Sequence, residues 1–264
     1  MPPATRSLRI VRLAACTFAA ALTISGCGLD LDPDPTPTAA PTEVTFGPDD
    51  IAVGELLDRS EEAWEGIDGW STETRTEQPN ASQSGGASAV TTEDVLLPST
   101  RRVLSTNEET IVSEEIAIYG MIYMRGTLAT TSIYPDVDAD TWIMFSPEEV
   151  PADTPLAQRV QYLTTAPDFP FSDVTAGTRR LPANPVGEVQ VKGRDCSVYQ
   201  FMASGASSGG ITYRLACDAN WLPCQLILEG GGIVEMTTWS LDSSAIEITA
   251  PIDAVPVDTF PAIS

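Results

Sequence analysis

The sequence predicts an α+β fold in which a curved antiparallel β-sheet, a half-barrel, is covered by an N-terminal helix and a central helical insert. Most of the chain is a succession of short segments rich in β-branched and aromatic residues, each bounded by turn-forming residues. Strands joined by such short turns pair antiparallel. Two other segments have the apolar spacing of amphipathic helices, so they can cover the apolar face of the sheet.

The first helix is predicted over residues 50–67, DIAVGELLDRSEEAWEGI. Its apolar side consists of residues at helical spacing: Val53, Leu56, Leu57, Trp64 and Ile67. Acidic residues occupy the opposite side, so this helix needs an apolar surface to lie on. We expect Asp49 or Asp50 to cap its start and Gly66 or Gly69 to end it.

Strands are predicted directly after this helix. The segment GWSTETRTEQ alternates, with Trp70, Thr72, Thr74 and Thr76 on one face. The segments SAVTTEDVLL, RRVLSTNEE, TIVSEEIAIYG, MIYMRG and TWIMF follow, and each has strand composition. Residues 118–123, IYGMIY, predict a tight hairpin.

The second helix is predicted over residues 153–163, DTPLAQRVQYL, with Asp153 or Thr154 as the cap and Pro155 at the first helical position. A proline-rich loop is expected as far as about Asn184. Strands then resume in VGEVQVKG, CSVYQFMA, ITYRLACD, CQLILEG and IVEMTTWSL, and IEITAPIDAVP predicts a last short strand.

The N-terminus has the features of a lipoprotein signal. Arg6, Arg9 and Arg12 precede an apolar run over 13–24 that is too short to span a bilayer as a helix. Ile-Ser-Gly-Cys, ending at Cys27, resembles the bacterial lipobox, in which the cysteine is acylated. We therefore predict a signal peptide over 1–26, an acylated Cys27 with a Pro/Thr/Asp-rich tether over 27–48, and a folded domain over 49–264. The expected location is the cell envelope, with acyl chains holding the protein on the outer face of the cell membrane.

The charge excludes one class of partner. The chain carries a net charge of −23, which becomes −26 when the three signal arginines are removed, and it has no histidine. Such a surface repels phosphate backbones, so no nucleic-acid partner is expected. It also repels anionic lipid headgroups, so contact with the membrane is expected through the acyl anchor or an apolar opening.

Three cysteines remain for the folded domain: Cys196, Cys217 and Cys224. In an oxidising compartment they allow one disulfide and one free thiol. A bond between Cys196 and Cys217 would link neighbouring strands, and one between Cys217 and Cys224 would close the next hairpin. Zinc is a poor alternative because the chain lacks histidine and a Cys-x-x-Cys pair.

Two short motifs resemble catalytic or metal sites. Residues 205–209, GASSG, match the Gly-x-Ser-x-Gly elbow of serine hydrolases, but a strand follows instead of a helix and no histidine base exists. Asp136, Asp138 and Asp140 have the spacing of a calcium loop, but Thr141 and Pro147 occupy the positions where such a loop needs glycine and glutamate. We therefore expect no catalytic residues, no metal and no cofactor.

The order of these elements resembles the LppX/LprG-type lipoproteins, which are LolA/LolB-like. The motifs that carry the resemblance are the lipobox and tether, EAWEGIDGWSTETRT, AIYGMIYMRG, DTWIMFSP, VKGRDCSVYQF, YRLACDANWLPCQLIL and IEITAP. The resemblance spans about residues 50–257. It implies an antiparallel half-barrel whose open side is crossed by helices around an apolar cavity, and a non-enzymatic role in binding or carrying lipid across the envelope.

The candidate cavity residues are two tryptophans, Trp64 and Trp70, and six apolar side chains expected on the inner face of the sheet: Val112, Ile116, Ile118, Ile122, Val198 and Leu215. The same residues suit a filled core, because a packed core and a lined cavity require the same chemistry. The first hypothesis is therefore an envelope lipoprotein that binds a lipid or acyl chain. The alternative is an interaction or sensory module with a filled core that binds an envelope protein.

Overall fold

The computed structural model describes residues 46–77, 89–107, 110–126, 138–152, 154–167, 169–172, 174–203 and 210–257. The signal segment, Cys27 and most of the tether lie outside these residues, so the lipoprotein interpretation of the N-terminus stays a prediction. The motif at 205–209 and Asp136 also lie outside them.

Thirteen strands of the described residues form one sheet. They are β1 (Ile51–Ala52), β2 (Gly69–Glu77), β3 (Ala89–Leu96), β4 (Thr100–Asn107), β5 (Thr110–Ile118), β6 (Met121–Arg125), β7 (Ile143–Phe145), β8 (Pro182–Val191), β9 (Arg194–Ala203), β10 (Ile211–Asp218), β11 (Pro223–Gly230), β12 (Ile233–Ser240) and β13 (Val255–Pro256). The α-helices are α1 (Val53–Trp64), α2 (Pro155–Thr164) and α3 (Ala176–Arg179). The predicted α+β class is confirmed.

The sheet consists of two meanders. The strand order is β1-β8-β9-β10-β11-β12-β2-β3-β4-β5-β6-β7-β13, so each meander follows the chain and the two join where β12 pairs with β2. All pairs are antiparallel except β13 with β7. The outermost strands do not pair with each other, so the sheet is open. The predicted last strand over IEITAPIDAVP is confirmed only at Val255–Pro256.

The tight hairpins come from residues that adopt positive φ. Tyr119 and Gly120 have φ of 54° and 76°, and Lys192 and Gly193 have φ of 48° and 81°. Two successive positive φ values define the type I′ turn, whose twist matches that of the flanking strands. The predicted hairpin between β5 and β6 is therefore confirmed.

Helix α1 begins later than predicted. Ile51 and Ala52 pair with β8 as strand β1, so Ala52 becomes the N-cap, and its methyl side chain has no acceptor for a capping hydrogen bond. The prediction that Asp49 or Asp50 caps the helix is therefore wrong. Asp50 accepts a hydrogen bond from the Gly47 amide at 2.6 Å instead. Gly69 opens β2, and the C-cap is Glu65.

Helix α2 is capped as predicted. The side chain of Thr154 accepts a hydrogen bond from the Ala157 amide at 3.1 Å, and Pro155 occupies the first turn. The proline-rich segment that follows contains α3, which the sequence pattern did not predict. Its cap is Thr175, which accepts a hydrogen bond from the Thr178 amide at 3.4 Å.

The two faces of the sheet differ in what covers them. We call the face that carries α1 and α2 the inner face, and the opposite one the outer face. Helix α1 packs most closely on β1, β8 and α3, and α2 packs on β4 and β5. The outer face of β5–β7 is covered by residues 246–254, which we call the strap. Ile248, Ala250 and Ala254 of the strap pack against Ile116, Ile118 and Tyr123.

The strap also protects one edge of the sheet. Its chain continues into β13, and Val257 then joins the inner-face cluster of Ile122, Ile143 and Val160. The C-terminal segment therefore passes around β7 from the outer face to the inner face. Such covering of an edge strand prevents pairing with other chains.

The disulfide joins Cys196 to Cys224 and leaves Cys217 as a buried free thiol. Neither pairing considered from the sequence is formed. Cys196 and Cys224 share an outer-face cluster with Ala216, whereas Cys217 lies in the inner-face cluster with Leu215. Because successive residues of a strand point to opposite faces, Cys217 cannot reach either partner without a change of register.

Candidate functional site

The part of the inner face beneath α1 is filled by aromatic side chains. The Trp64 and Trp70 rings meet edge to face at 4.9 Å, and Trp64 also meets Phe169 at 6.1 Å. Phe171 continues the cluster toward Trp239, with ring centroids 6.0 Å apart. All five side chains are less than a tenth exposed. This half of the inner face is therefore a packed core.

A charged network lies between α2 and the sheet. Arg101 of β4 forms an ion pair with Glu93 of β3 and donates to the Tyr162 carbonyl. Arg159 of α2 pairs with Glu115 of β5. The Tyr162 hydroxyl donates to Glu93 at 3.1 Å, and burial, with the neighbouring Glu93 charge, raises the Tyr162 pKa to about 12. These contacts fix α2 over β3–β5 by polar as well as apolar interactions.

Between the helices, the inner face presents a set of partly exposed apolar side chains on β10 and β11. We call these four residues the apolar strip: Ile211, Tyr213, Leu226 and Leu228. Tyr213 stands directly opposite Leu228 on one side and Phe201 on the other, and its ring stacks on Phe201 at 5.0 Å. Burial raises the Tyr213 pKa. The strip continues the packed core into a surface that still contacts solvent.

A row of hydroxyl side chains crosses the sheet beside the strip. We call these five residues the hydroxyl band: Thr237, Thr74, Thr91, Ser105 and Ser113. They stand opposite one another on five neighbouring strands, so they share the inner face. Thr74 and Thr237 are hydrogen-bonded at 2.9 Å, and Thr91 and Ser105 at 3.3 Å. Since Leu226 stands opposite Thr237, the band begins where the strip ends.

Two polar groups lie at the boundary between the strip and the band. The Trp239 ring nitrogen is buried, and it has no hydrogen-bond partner among the described residues. Glu235 stands between Leu228 and Thr76, and burial raises the pKa of its carboxyl group. The inner face is thus apolar on one side and polar on the other, with a buried, unpartnered N–H group at Trp239 near the boundary.

Neither of two clefts in the described part of the chain is an enclosed apolar cavity. One, of about 420 Å³, lies on the outer face between the sheet and the strap and is lined by charged residues. The other, of about 10 Å³, lies between the end of α2 and the β3–β4 turn. The enclosed apolar cavity implied by the resemblance is not one of these clefts.

The structure brings together only some of the predicted cavity residues. Trp64, Trp70 and Leu215 share the inner-face cluster beneath α1. Ile122 lies on the inner face beneath α2. The remaining four lie elsewhere: Ile116 and Ile118 under the strap, Val198 beside the disulfide, and Val112 half-buried next to the β5 bulge. Their role in ligand binding stays a prediction.

Strand β5 shows why the alternation of residues along a strand did not assign Ile116 and Ile118 to the correct face of the sheet. Ile116 and Ile118 are buried by the strap, and Ala117 between them is buried by the inner-face cluster. When a strand is buried on both faces, alternation cannot distinguish them. The apolar strip and the hydroxyl band were not identified from the sequence, although the alternation of Thr72, Thr74 and Thr76 placed those residues on one face.

No group of three or more His, Cys, Asp and Glu side chains within the described residues could hold a metal ion. Nor is any helix of the described part long and apolar enough to cross a bilayer.

No family model and no curated protein matches the sequence. Among solved structures, the chain is similar to the lipoprotein LppX of Mycobacterium tuberculosis, with 11% identity, 75% of this chain and 98% of that chain covered, and a TM-score of 0.43. It is also similar to LprF of Mycobacterium bovis, with 11% identity, 75% and 96% coverage and a TM-score of 0.41. A LolA superfamily protein of Nitrosomonas europaea matches with 11% identity, 72% and 92% coverage and a TM-score of 0.28. The likeness is one of fold, to LppX- and LolA-like proteins, at low sequence identity.

Proposed function

We propose that the protein is a membrane-anchored envelope lipoprotein that binds a lipid or another acyl-chain ligand on the inner face of its sheet. One observation carries the proposal: the apolar strip lies directly beside the hydroxyl band, on a face that the two helices cover only in part. A ligand with an apolar chain and an uncharged polar end matches this arrangement.

The strip provides the driving force for binding. Burial of apolar surface is worth about 25 cal/mol per Å², so one fatty-acyl chain that covers several of the half-buried strip residues gains affinity without any charged contact. Tyr213 and Leu228 would lie against the chain, while Thr74 and Thr237 would face the polar end. This amphipathic arrangement also disfavours a purely apolar ligand, which would desolvate the hydroxyl groups without replacing their hydrogen bonds.

Trp239 gives the ligand a polar contact. A buried N–H group without an acceptor costs about 1–3 kcal/mol. The Trp239 side chain lies at the boundary of the packed core and the hydroxyl band, where it stands opposite Thr72. An ester carbonyl or carboxyl oxygen of the ligand placed there would accept this hydrogen bond, and it would fix the polar end relative to the chain.

Acylation of Cys27 would hold the protein at its lipid source. Attached acyl chains contribute about 0.8 kcal/mol for each buried methylene, so two or more chains give a stable anchor. The tether over 27–48 is rich in proline, threonine and aspartate, a composition that favours an extended chain. The domain would therefore collect a ligand near the membrane to which it is attached. The proposed role is binding, with or without transfer, and not catalysis.

A second candidate function is supported by the packing beneath α1. The aromatic side chains there are buried against one another, and neither of the two clefts of the described residues is an apolar cavity. A filled core of this kind suits an interaction module that binds an envelope protein through its surface. Such a module would use neither the apolar strip nor the Trp239 donor.

A titration with a fluorescent fatty acid separates the two candidates. Leu228 faces inward and Ile227 outward on the same strand, and both are half-buried. Leu228→Asn should weaken binding of the probe at least tenfold, whereas the matched control Ile227→Asn should leave it within about twofold, since one buried leucine is worth ~1.5–3 kcal/mol. Absence of probe binding, or equal loss in both variants, would contradict an inner-face acyl site and favour the interaction module.

A further inference from the structure

A second candidate site lies on the outer face. It is the cleft of about 420 Å³ between β4–β6 and the strap, and its size falls within the range of ~300–1,000 Å³ that is typical of small-molecule sites. The sheet forms its floor and the strap forms its opposite wall. The charged and aromatic groups that line it are Arg102, Glu114, Arg125, Trp142, Glu247 and Asp253.

The floor of the cleft carries a positive charge. Glu114 is only 3% exposed and pairs with an arginine on each neighbouring strand. The Arg102 Nε donates to one Glu114 oxygen at 2.8 Å, and the Arg125 Nε donates to the other, also at 2.8 Å. One carboxylate between two guanidinium groups leaves a net charge of +1 in a chain whose net charge is −23.

Both arginines keep hydrogen-bonding capacity toward the cleft. A guanidinium group has five N–H donors, and Glu114 uses only part of each set. Apart from Glu114, the Arg125 guanidinium contacts the Trp142 ring, 4.8 Å from its centroid. No other ion pair of Arg102 or Arg125 is formed among the described residues. The shared carboxylate holds the two guanidinium groups in place, which is the preorganisation that an anionic ligand needs.

The strap supplies the opposite charge. Glu247 and Asp253 line the same cleft and are exposed, and they form no ion pair within the described residues. Two free carboxylates beside two guanidinium groups normally pair with them. Here the cleft separates the two sets of charges. The arginines of the floor can therefore bind an anionic group while the carboxylates of the strap bind a cationic group.

We propose that this cleft binds a small zwitterion, a molecule with a primary ammonium group and a carboxylate or phosphate group. The acidic group would accept hydrogen bonds from Arg102 and Arg125, and the ammonium group would lie between Glu247 and Asp253. A simple anion is disfavoured by the two wall carboxylates, and a simple amine by the two guanidinium groups. The site lies on the opposite face from the acyl site, so it is independent of the proposed function.

The test is calorimetry on residues 27–264 carrying Cys27→Ser, so that neither the predicted signal peptide nor an acyl chain is attached. The probes are phosphoethanolamine, with methyl phosphate and ethylamine as its separate halves, and glycine, with acetate and methylamine as its halves. We expect at least one zwitterion to bind at least tenfold more tightly than either half. Vesicles of phosphatidylethanolamine in phosphatidylcholine, compared with phosphatidylcholine alone, show whether the zwitterion is recognised as a lipid headgroup or as a free molecule.

Substitutions in the strap test whether the zwitterion binds in this cleft, and they leave the buried residues of the cleft floor unchanged. Glu247→Gln with Asp253→Asn should weaken zwitterion binding at least fivefold and should not weaken methyl phosphate binding. The matched control, Glu61→Gln with Glu62→Gln, removes the same charge from the exposed side of α1 and should change neither.

The proposal is overturned if neither the free zwitterions nor the vesicles bind, if methyl phosphate alone binds as tightly, or if the strap variant and the control behave alike. Acyl binding by the strap variant, measured with the fluorescent probe, should be unchanged in every case.

Discussion

Cys217 shows how much depends on the direction of a single side chain. It is 1% exposed in the inner-face cluster, and burial raises the pKa of its thiol to about 12. The thiol therefore stays protonated at neutral pH and is a poor nucleophile. We predict that iodoacetamide does not modify the native protein and modifies one cysteine of the folded domain after unfolding in urea, as intact mass would show. Rapid modification of the native domain would contradict the burial of Cys217.

The disulfide itself should contribute strongly to stability. It closes a loop between residues 28 apart, and by the chain-entropy relation its loss costs about 3–4 kcal/mol. The double variant Cys196→Ala, Cys224→Ala should lower the free energy of unfolding by about this amount in urea titrations. Cys217→Ala is the control and should leave the disulfide intact. Equal unfolding midpoints for the wild type and the double variant would contradict this account.

Glu235 should make stability depend on pH. Burial raises its pKa in the folded state, so the folded protein holds this proton to a higher pH than the unfolded chain does. The cost of the charged carboxylate therefore appears as pH rises above the usual carboxyl range of about 4. Glu235→Gln should be more stable than the wild type at pH 7, and the difference should vanish below about pH 4.

The control for this prediction is Glu188→Gln, at an exposed position of β8. Its stability should follow that of the wild type at each pH. Urea titrations at pH 3.5, 5 and 7 would measure the effect. A gain for Glu235→Gln that is the same at all three values would show that the gain does not come from ionisation.

The ring nitrogen of Trp239 should affect both the stability of the protein and its affinity for the ligand. Trp239→Phe keeps an aromatic ring at this position and removes the buried N–H group that has no partner in the described part of the chain. Removal of the unsatisfied donor offsets the packing lost with the smaller ring, so the free energy of unfolding should change by less than about 1 kcal/mol. Binding of the fluorescent fatty acid should weaken about fivefold, or ~1 kcal/mol, if the ligand accepts this hydrogen bond. Unchanged affinity would remove Trp239 from the site.

At the scale of elements, Glu114 holds three strands together. It is buried on β5 and pairs with Arg102 on β4 and Arg125 on β6. Removal of the charge leaves two guanidinium groups against a neutral amide, so Glu114→Gln should lower the free energy of unfolding by about 3 kcal/mol. Glu73→Gln, at an exposed pair with Arg75, is the control and should cost less than about 1 kcal/mol. Similar losses in both variants would contradict the structural role of the triad.

The elements themselves were largely predictable, and the exceptions have local causes. The apolar spacing of Leu56, Leu57 and Trp64 located α1, and Thr154 with Pro155 located the start of α2. The start of α1 was missed because Ile51 and Ala52 pair with β8, a long-range contact that no local pattern contains. Similarly, the short α3 depends on the Thr175 cap within a segment whose prolines indicate a loop.

At the scale of the whole molecule, the sequence predicted the sheet but not the arrangement of its surfaces. Consecutive strands joined by short turns imply two meanders, whereas the pairing of β12 with β2 brings together segments far apart in the chain. That single contact places Thr237 beside Thr74 and creates the hydroxyl band. The outer-face cleft also depends on a long-range contact, since the strap must return to β5–β7. Neither surface could be predicted from periodicity alone.

Native mass spectrometry of the domain over 48–264, produced in an oxidising compartment, tests the central claim most directly. If the inner face binds an acyl chain, the spectrum should show a mass excess that solvent extraction releases as a defined lipid. The excess should be absent in Leu228→Asn and present in Ile227→Asn. A mass equal to that of the polypeptide alone, unchanged after incubation with mixed phospholipids, would contradict lipid binding and favour the protein-interaction module.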